Sequence, residues 1–100
     1  MTDTTDPKPP DTTLRVHLDE AQLGGAYVNM ARIFHNQTEL VIDALFLPPA
    51  STVAKVGARL VMHPVHAKQL LRALAQNLQS YEQKFGEIVL PSGQGPGPFN

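Results

Sequence analysis

The feature that most constrains the fold of this chain is an amphipathic stretch between Met62 and Gly86. Large apolar residues recur there mostly at spacings of three and four, the period of one face of an α-helix. Pro64 suits a first helical turn, which needs no N–H donor, and Gly86 suits the cap that ends a helix. A helix of this kind is marginal alone in water, so its apolar side must be covered. The apolar stripe comprises Ala67, Leu70, Leu71, Leu74, Leu78, Tyr81 and Phe85.

The residues before this helix predict four β-strands. Leu14–Leu18 alternates apolar and polar residues, as a half-buried strand does. Three further strands are predicted over residues 26–35, 39–47 and 55–62, separated by turn-forming residues and by Pro48-Pro49. Short connections between consecutive strands favour an antiparallel meander. We therefore predict an α+β fold, with an antiparallel four-stranded meander sheet and one long C-terminal helix packed on one face.

The predicted turns also suggest how the strands align. If Asn36 lies opposite Glu39, Arg32 faces Asp43, and if Leu47 lies opposite Lys55, Asp43 faces Arg59. Successive side chains alternate between the faces of a sheet. One face, here called the alanine face, then collects apolar and small residues and is the predicted seat of the helix. It comprises Ala31, Ile33, Ile42, Ala44, Phe46, Val56, Ala58 and Leu60.

The opposite face, here called the Asp43 face, predicts self-association. It is too apolar to face water, yet a row of charged residues crosses its centre. One helix cannot cover both faces of a sheet, and exposed apolar patches of this size usually mark interfaces. We therefore predict a dimer or higher homo-oligomer formed through this face. The predicted interface residues are Met30, Arg32, Phe34, Val41, Asp43, Leu45, Arg59 and Val61.

Composition separates a folded middle from two tails. Residues 1–12 are rich in Thr, Asp and Pro, and residues 91–100 are rich in Gly and Pro. Neither segment has the apolar area that would offset the entropy lost on ordering. We predict a disordered N-terminal tail over 1–12, a single α+β domain over 13–90, and a flexible Gly/Pro-rich C-terminal tail over 91–100.

Charge and residue usage exclude several classes of function. The net charge is −1 and the isoelectric point is near 6.4, whereas nucleic-acid-binding proteins usually present a basic face. The chain has no cysteine, which excludes disulfides, thiolate metal sites and cysteine nucleophiles. No apolar run approaches the roughly 18 residues of a membrane span, and no basic-then-apolar leader follows Met1. We expect no nucleic-acid or membrane partner and a cytoplasmic location.

The histidines are the strongest candidates for metal ligands, although a structural role explains them better. His63 and His66 lie three residues apart at the predicted helix start, where Glu39 could join them. A helical zinc pair usually has four-residue spacing and a further fixed ligand. We expect His63 to cap the helix and His66 to lie on the surface. We predict no catalytic, cofactor-binding or metal-binding residues.

A set of landmarks distributed over nearly the whole predicted core resembles a known family. They are Tyr27-Val28-Asn29, Glu39, Asp43, Arg59, Pro64-Val65-His66-Ala67-Lys68, Ala73-Leu74, Asn77, Tyr81-Glu82 and Phe85-Gly86-Glu87-Ile88. The chain resembles the short prokaryotic family catalogued as domain of unknown function three-four-six-seven. The resemblance implies a small single-domain protein of strands followed by a helix, with no known activity. The order of elements is also loosely similar to that of SecB-type export chaperones, in topology only.

The absence of catalytic groupings and the apolar Asp43 face together favour a non-enzymatic interaction module. We predict a homo-oligomer that associates with itself, with another protein as a further candidate partner, and that needs no cofactor. One alternative is a SecB-like chaperone or holdase that binds apolar client segments on the same face. The other is a small-ligand or metal-binding regulator that uses His63, His66 and Glu39.

Overall fold

The computed structural model of the protein describes residues 13–91, which form an antiparallel sheet followed by one long helix. The strands are β1 (Met30–His35), β2 (Leu40–Phe46) and β3 (Lys55–Met62), arranged in the order β1-β2-β3. A short 3₁₀ turn precedes them at Glu20–Gln22, and the helix is α1 (Pro64–Phe85). The α+β class is confirmed, but the prediction of four strands is wrong because the sheet has three.

The missing strand is the first one, predicted over Leu14–Leu18. This segment has no regular structure, and its apolar side chains remain in solvent, with Leu14 86% and Val16 80% exposed. Alternation of apolar and polar residues is necessary for a half-buried strand but does not create one. A strand forms only where the segment also pairs with a neighbour and covers an apolar surface, and in this structure Leu14–Leu18 pairs with neither outer strand of the sheet.

The first hairpin has the predicted register. Arg32 pairs with Asp43, Ala31 with Ala44 and Ile33 with Ile42. The turn is closed by Asn36, whose side-chain oxygen accepts hydrogen bonds from the N–H groups of Thr38 and Glu39, each at 2.9 Å. An asparagine side chain that substitutes for a backbone acceptor in this way fixes the turn and thus the register.

The second hairpin follows the prediction in the middle and departs from it at one end. Asp43 pairs with Arg59 as predicted, but a bulge follows, so that Phe46 and not Leu47 pairs with Lys55. Gly57 is the extra residue, because Leu45 pairs with Val56 while Ala44 pairs with Ala58. Val56 therefore lies on the Asp43 face, and its predicted place on the alanine face is wrong.

Crowding at the bulge explains the glycine. A Cβ at position 57 would lie 3.2 Å from Cγ1 of Val28 and 3.3 Å from Cβ of Ala26. The segment that leads into β1 therefore passes directly over the bulge, and no side chain at position 57 fits beneath it without displacement. Glycine inside a strand often marks such a close approach.

Both ends of α1 are as the sequence predicts. Pro64 is the first helical residue, and the ring nitrogen Nδ1 of His63 accepts a hydrogen bond from the N–H of Val65 at 3.1 Å. His63 is thus the N-terminal cap, which confirms its predicted structural role. At the other end Gly86 adopts a φ of 101°, a conformation that favours glycine, and its N–H donates to the Glu82 carbonyl oxygen.

The prediction that the helix packs on one face of its own sheet is wrong. No residue of α1 is buried, and in its apolar stripe Leu71 is 63% and Phe85 is 72% exposed. On the alanine face Ile33 and Leu60 are likewise nearly half exposed. The physical reason is the connection: only His63 separates β3 from α1, so no loop turns the helix back over its sheet.

The buried interior of the described part of the chain is correspondingly small. Across residues 13–91, Asp43 and Leu45 are the two buried side chains, both in β2, the central strand. The predicted N-terminal tail and all but the first residue of the C-terminal tail lie outside the described residues. The sheet places Asp43 between Arg32 and Arg59 of the neighbouring strands.

Candidate interaction site

Asp43 is the most completely covered side chain in the described part of the chain. It lies in the middle of β2 and has no exposed surface, while both of its strand neighbours in the register are arginines. The guanidinium groups that cover it are themselves more than half exposed, with Arg32 at 61% and Arg59 at 53%. The carboxylate is therefore shielded by a layer only one side chain thick.

Three short hydrogen bonds hold this carboxylate. Arg59 donates through Nε to Oδ1 of Asp43 at 2.6 Å and through Nη2 to Oδ2 at 2.9 Å. Arg32 donates through Nη2 to the same Oδ2 at 2.7 Å. The bidentate pair and its short distances are typical of strong, charge-assisted bonds. The predicted contact of Asp43 with both arginines is confirmed.

The arginines keep the carboxylate ionised. The hydrogen bonds from Arg59, and next those from Arg32, hold the pKa of Asp43 well below its usual range, against the opposing effect of desolvation. In turn the bond to Asp43 raises the pKa of Arg59. The cluster thus carries one negative and two positive charges at neutral pH and has a net charge of +1.

An aromatic ring completes the cluster. Phe34 lies on the same face, and its ring centre is 5.8 Å from the guanidinium carbon of Arg32 and 5.8 Å from that of Arg59. Cations at this distance from an aromatic face are attracted to it. The ring and the carboxylate together hold both guanidinium groups on this face of the sheet.

The structure places all eight predicted interface residues on one face. Alternation along each strand and the register between strands put them there. The centre of the face is closed, since Asp43 and Leu45 are buried, but its margin is open, with Phe34 45% and Val61 54% exposed. The face is an apolar margin around a charged centre whose arginines still have free area.

Asn29 is a positioning residue that sequence analysis did not identify. Its side-chain amide donates to the Leu47 carbonyl oxygen and accepts from the Leu47 N–H, both at 2.9 Å. Its own N–H donates to the Leu45 carbonyl oxygen at 2.9 Å. These bonds extend the β1–β2 ladder through a side chain and fix the strand end next to the bulge. The signal was present only as one residue of the family landmark Tyr27-Val28-Asn29.

The candidate metal ligands do not form a site. The rings of His63 and His66 lie 6.3 Å apart, and Nδ1 of His63 is engaged with the Val65 N–H. Within residues 13–91 there is no group of three or more histidine, aspartate or glutamate side chains arranged to hold a metal ion. Glu39 is not brought into such a group with the histidines.

Comparison with known protein families identifies what the chain is related to. The model of the family described as "Protein of unknown function (DUF3467)" matches residues 1–90. The chain belongs to this family. The match includes the whole sheet and helix of this DUF3467 protein and thus confirms the predicted resemblance. Comparisons with curated proteins and with solved structures find no match.

The helix of this DUF3467 protein differs from a membrane-spanning helix in its hydropathy. In the stretch from residue 13 to residue 91, no helix combines the length and the hydropathy needed to cross a bilayer. Polar side chains such as Arg72, Gln76 and Gln83 interrupt α1 at regular intervals.

Proposed function

We propose that this DUF3467 protein is a non-enzymatic interaction module that associates with itself through the Asp43 face of its sheet. One observation carries the proposal: Leu45 is the one buried apolar side chain among residues 13–91. Fixing a residue in a fold costs about 1–2 kcal/mol of backbone entropy, which a single buried leucine cannot offset for a domain. A second copy supplies the missing apolar contacts.

The composition of the Asp43 face supports this use. Phe34 and Val61 form an exposed apolar margin, and aromatic residues and arginines are enriched in protein interfaces. The ordered arginines present hydrogen-bond donors that are fixed before any partner arrives, because Asp43 and Phe34 already hold them. Association then costs little side-chain entropy.

The charged centre gives the proposed contact its specificity. Buried ion pairs contribute little net stability compared with apolar residues, but they can fix a register or an orientation. With Asp43 between two arginines, a second sheet that docks out of register would leave a guanidinium group against an apolar surface. We propose that the row of Arg32, Asp43 and Arg59 selects one arrangement of the two copies.

A substitution at the open margin of the face tests this proposal. Val61 is 54% exposed in a single copy, so Val61→Glu should leave the fold intact but put a charge into the proposed contact. We expect size-exclusion chromatography with light scattering to give a lower mass for Val61→Glu than for the wild type. Val53→Glu is the matched control, since Val53 is 69% exposed in the β2–β3 loop. An equal mass for Val61→Glu and wild type, with both folded, would contradict the proposed face.

The client-binding alternative rests on the same exposed apolar residues. A holdase would keep its Asp43 face open as a free protein and would bind extended apolar segments there. The two functions differ in the state of the purified protein, because only self-association hides the face without an added client. The regulator alternative has less support, since a capping bond already engages one ring nitrogen of His63.

A further inference from the structure

We propose that the apolar stripe of α1 is a second contact between copies, in which it packs lengthwise against α1 of another copy. This inference rests on the proposed self-association and adds a surface that the Asp43 face does not include. It assigns a partner to an apolar surface that the fold leaves uncovered within residues 13–91.

The spacing of the stripe indicates that its partner is a helix. Six of its seven residues alternate between steps of four and three, a seven-residue repeat, and Leu70 lies beside this line. The positions of the repeat are Ala67, Leu71, Leu74, Leu78, Tyr81 and Phe85. Such a repeat keeps a narrow seam facing another helix, whereas a helix that packs on a sheet usually has a broader apolar side. The opposite side of α1, with Gln76 and Gln83, is polar.

Within residues 13–91, no other part of the protein covers this seam. α1 is the single α-helix between residues 13 and 91, and its five large seam residues are exposed, from 44% for Leu78 to 72% for Phe85. The N-terminal segment at Leu14–Leu18 has no helical structure. The nearest source of a helix with the same repeat is therefore a second copy, and identical helices match one another by symmetry.

The exposed area is of the size that a helix pair needs. A fully buried aromatic side chain covers about 150–250 Å², and Tyr81 and Phe85 leave half or more of theirs exposed. With three half-exposed leucines the seam reaches roughly several hundred square ångströms per copy, which is in the range of weak, reversible interfaces that bury less than about 1,200 Å² in total. Patches of this size are rarely left open on a monomer.

The C-terminal half of the seam borders a groove in a single copy of the protein. Leu78, Tyr81, Phe85 and Ile88 line an open groove of about 590 Å³, whose other side is polar and comprises Asn77, Ser80 and Lys84. The rings of Tyr81 and Phe85 pack together with centres 5.0 Å apart. Glu82 holds the following segment in place, because its carboxylate accepts a hydrogen bond from the Ile88 N–H at 2.9 Å. The groove continues the line of the repeat beyond the end of the helix.

Because the natural chain has no cysteine, single introduced cysteines report this contact without interference. We would introduce Leu71→Cys, Leu78→Cys and Phe85→Cys separately in the full chain, with Gln76→Cys on the polar side as the control. Under mild oxidation we expect disulfide-linked dimers from seam positions at least tenfold faster than from Gln76→Cys. A parallel pair would link each seam variant to itself, and an antiparallel pair would link Leu71→Cys to Phe85→Cys in a mixture. Either pattern supports the proposal.

Two results would overturn it. Seam cysteines that link no faster than Gln76→Cys would show that the seam does not meet its counterpart. Preferential linking of Leu78→Cys to Leu60→Cys on the alanine face, in a mixture, would show that α1 lies on the sheet of the other copy. Failure of the Asp43 face is separately visible, because Val61→Glu would then keep the wild-type mass while seam cross-linking persists.

Discussion

Replacing Asp43 with alanine is expected to lower the melting temperature more than any other single change of a polar residue in the described part of the chain. The change leaves the guanidinium groups of Arg32 and Arg59 facing each other without the carboxylate that accepts their hydrogen bonds. Removing one partner from a covered charge cluster is far more costly than removing an exposed pair. We expect a decrease of roughly 10 °C or more, measured by thermal unfolding.

Asp19→Ala is the matched control, since Asp19 is 70% exposed and its bond to His17 lies in solvent. Its melting temperature should stay close to that of the wild type. A triple variant, Arg32→Met with Asp43→Leu and Arg59→Met, should recover much of the loss, because apolar residues can replace a covered ion cluster. Equal melting temperatures for Asp43→Ala and Asp19→Ala would refute the view that the covered carboxylate organises the sheet.

The same carboxylate gives the protein a specific acid response. The pKa of Asp43 is lower in the folded state than the ordinary value near 4 of an unfolded chain. Its contribution to stability is therefore complete above about pH 5 and is lost as the pH falls below about 4 toward the folded pKa. In Asp43→Asn this part of the acid dependence should be absent, so the melting temperatures of variant and wild type should converge at low pH.

Leu74→Asp is expected to abolish the contact that α1 makes between copies and to leave the Asp43 face unchanged. Leu74 is 54% exposed in a single copy, so a charge there is tolerated by the monomer and opposed only where a second helix covers it. We expect the dissociation constant to rise by 100-fold or more, or roughly 3 kcal/mol, in a dilution series followed by sedimentation. Gln76→Asp, two residues along on the polar side, should change it less than about threefold. Equal effects of the two substitutions would show that the seam is not a contact.

The sequence predicts well where local chemistry decides the structure. Pro64 and Gly86 gave the helix ends because a first turn needs no N–H and a positive φ favours glycine. Asn36 gave the first turn, and with it the pairing of Arg32 with Asp43. In each case the deciding atoms lie within a few residues of one another.

The differences between the predicted and the observed fold depend on contacts between segments far apart in the sequence. The bulge at Gly57 depends on the chain near Val28 passing overhead, a contact between segments far apart in sequence. The segment Leu14–Leu18 has the alternation of a strand but pairs with neither outer strand of the sheet, and alternation alone does not decide long-range pairing. The stripe of α1 predicts a cover, but periodicity alone does not say which molecule provides it, and the predicted cover, the sheet of the same copy, does not bury it.

Some features of the candidate site could be predicted from the sequence and others could not. The two arginines beside Asp43 follow from register, so they could be predicted once the hairpins were identified. The ring of Phe34 between both guanidinium groups and the side-chain ladder made by Asn29 depend on exact geometry. The sequence predicts Phe34 on this face and includes Asn29 in a family landmark, but neither pattern specifies these contacts.

The measurement that tests self-association most directly is the mass of the wild-type protein in solution. Sedimentation equilibrium at micromolar concentration should give at least twice the 10.9 kDa of one chain, with dissociation on dilution. The exposed seam of α1 and the open margin of the Asp43 face require this result, because nothing within residues 13–91 covers either surface. A folded species of 10.9 kDa across the micromolar range would contradict the account and would favour a protein that keeps these surfaces open for clients.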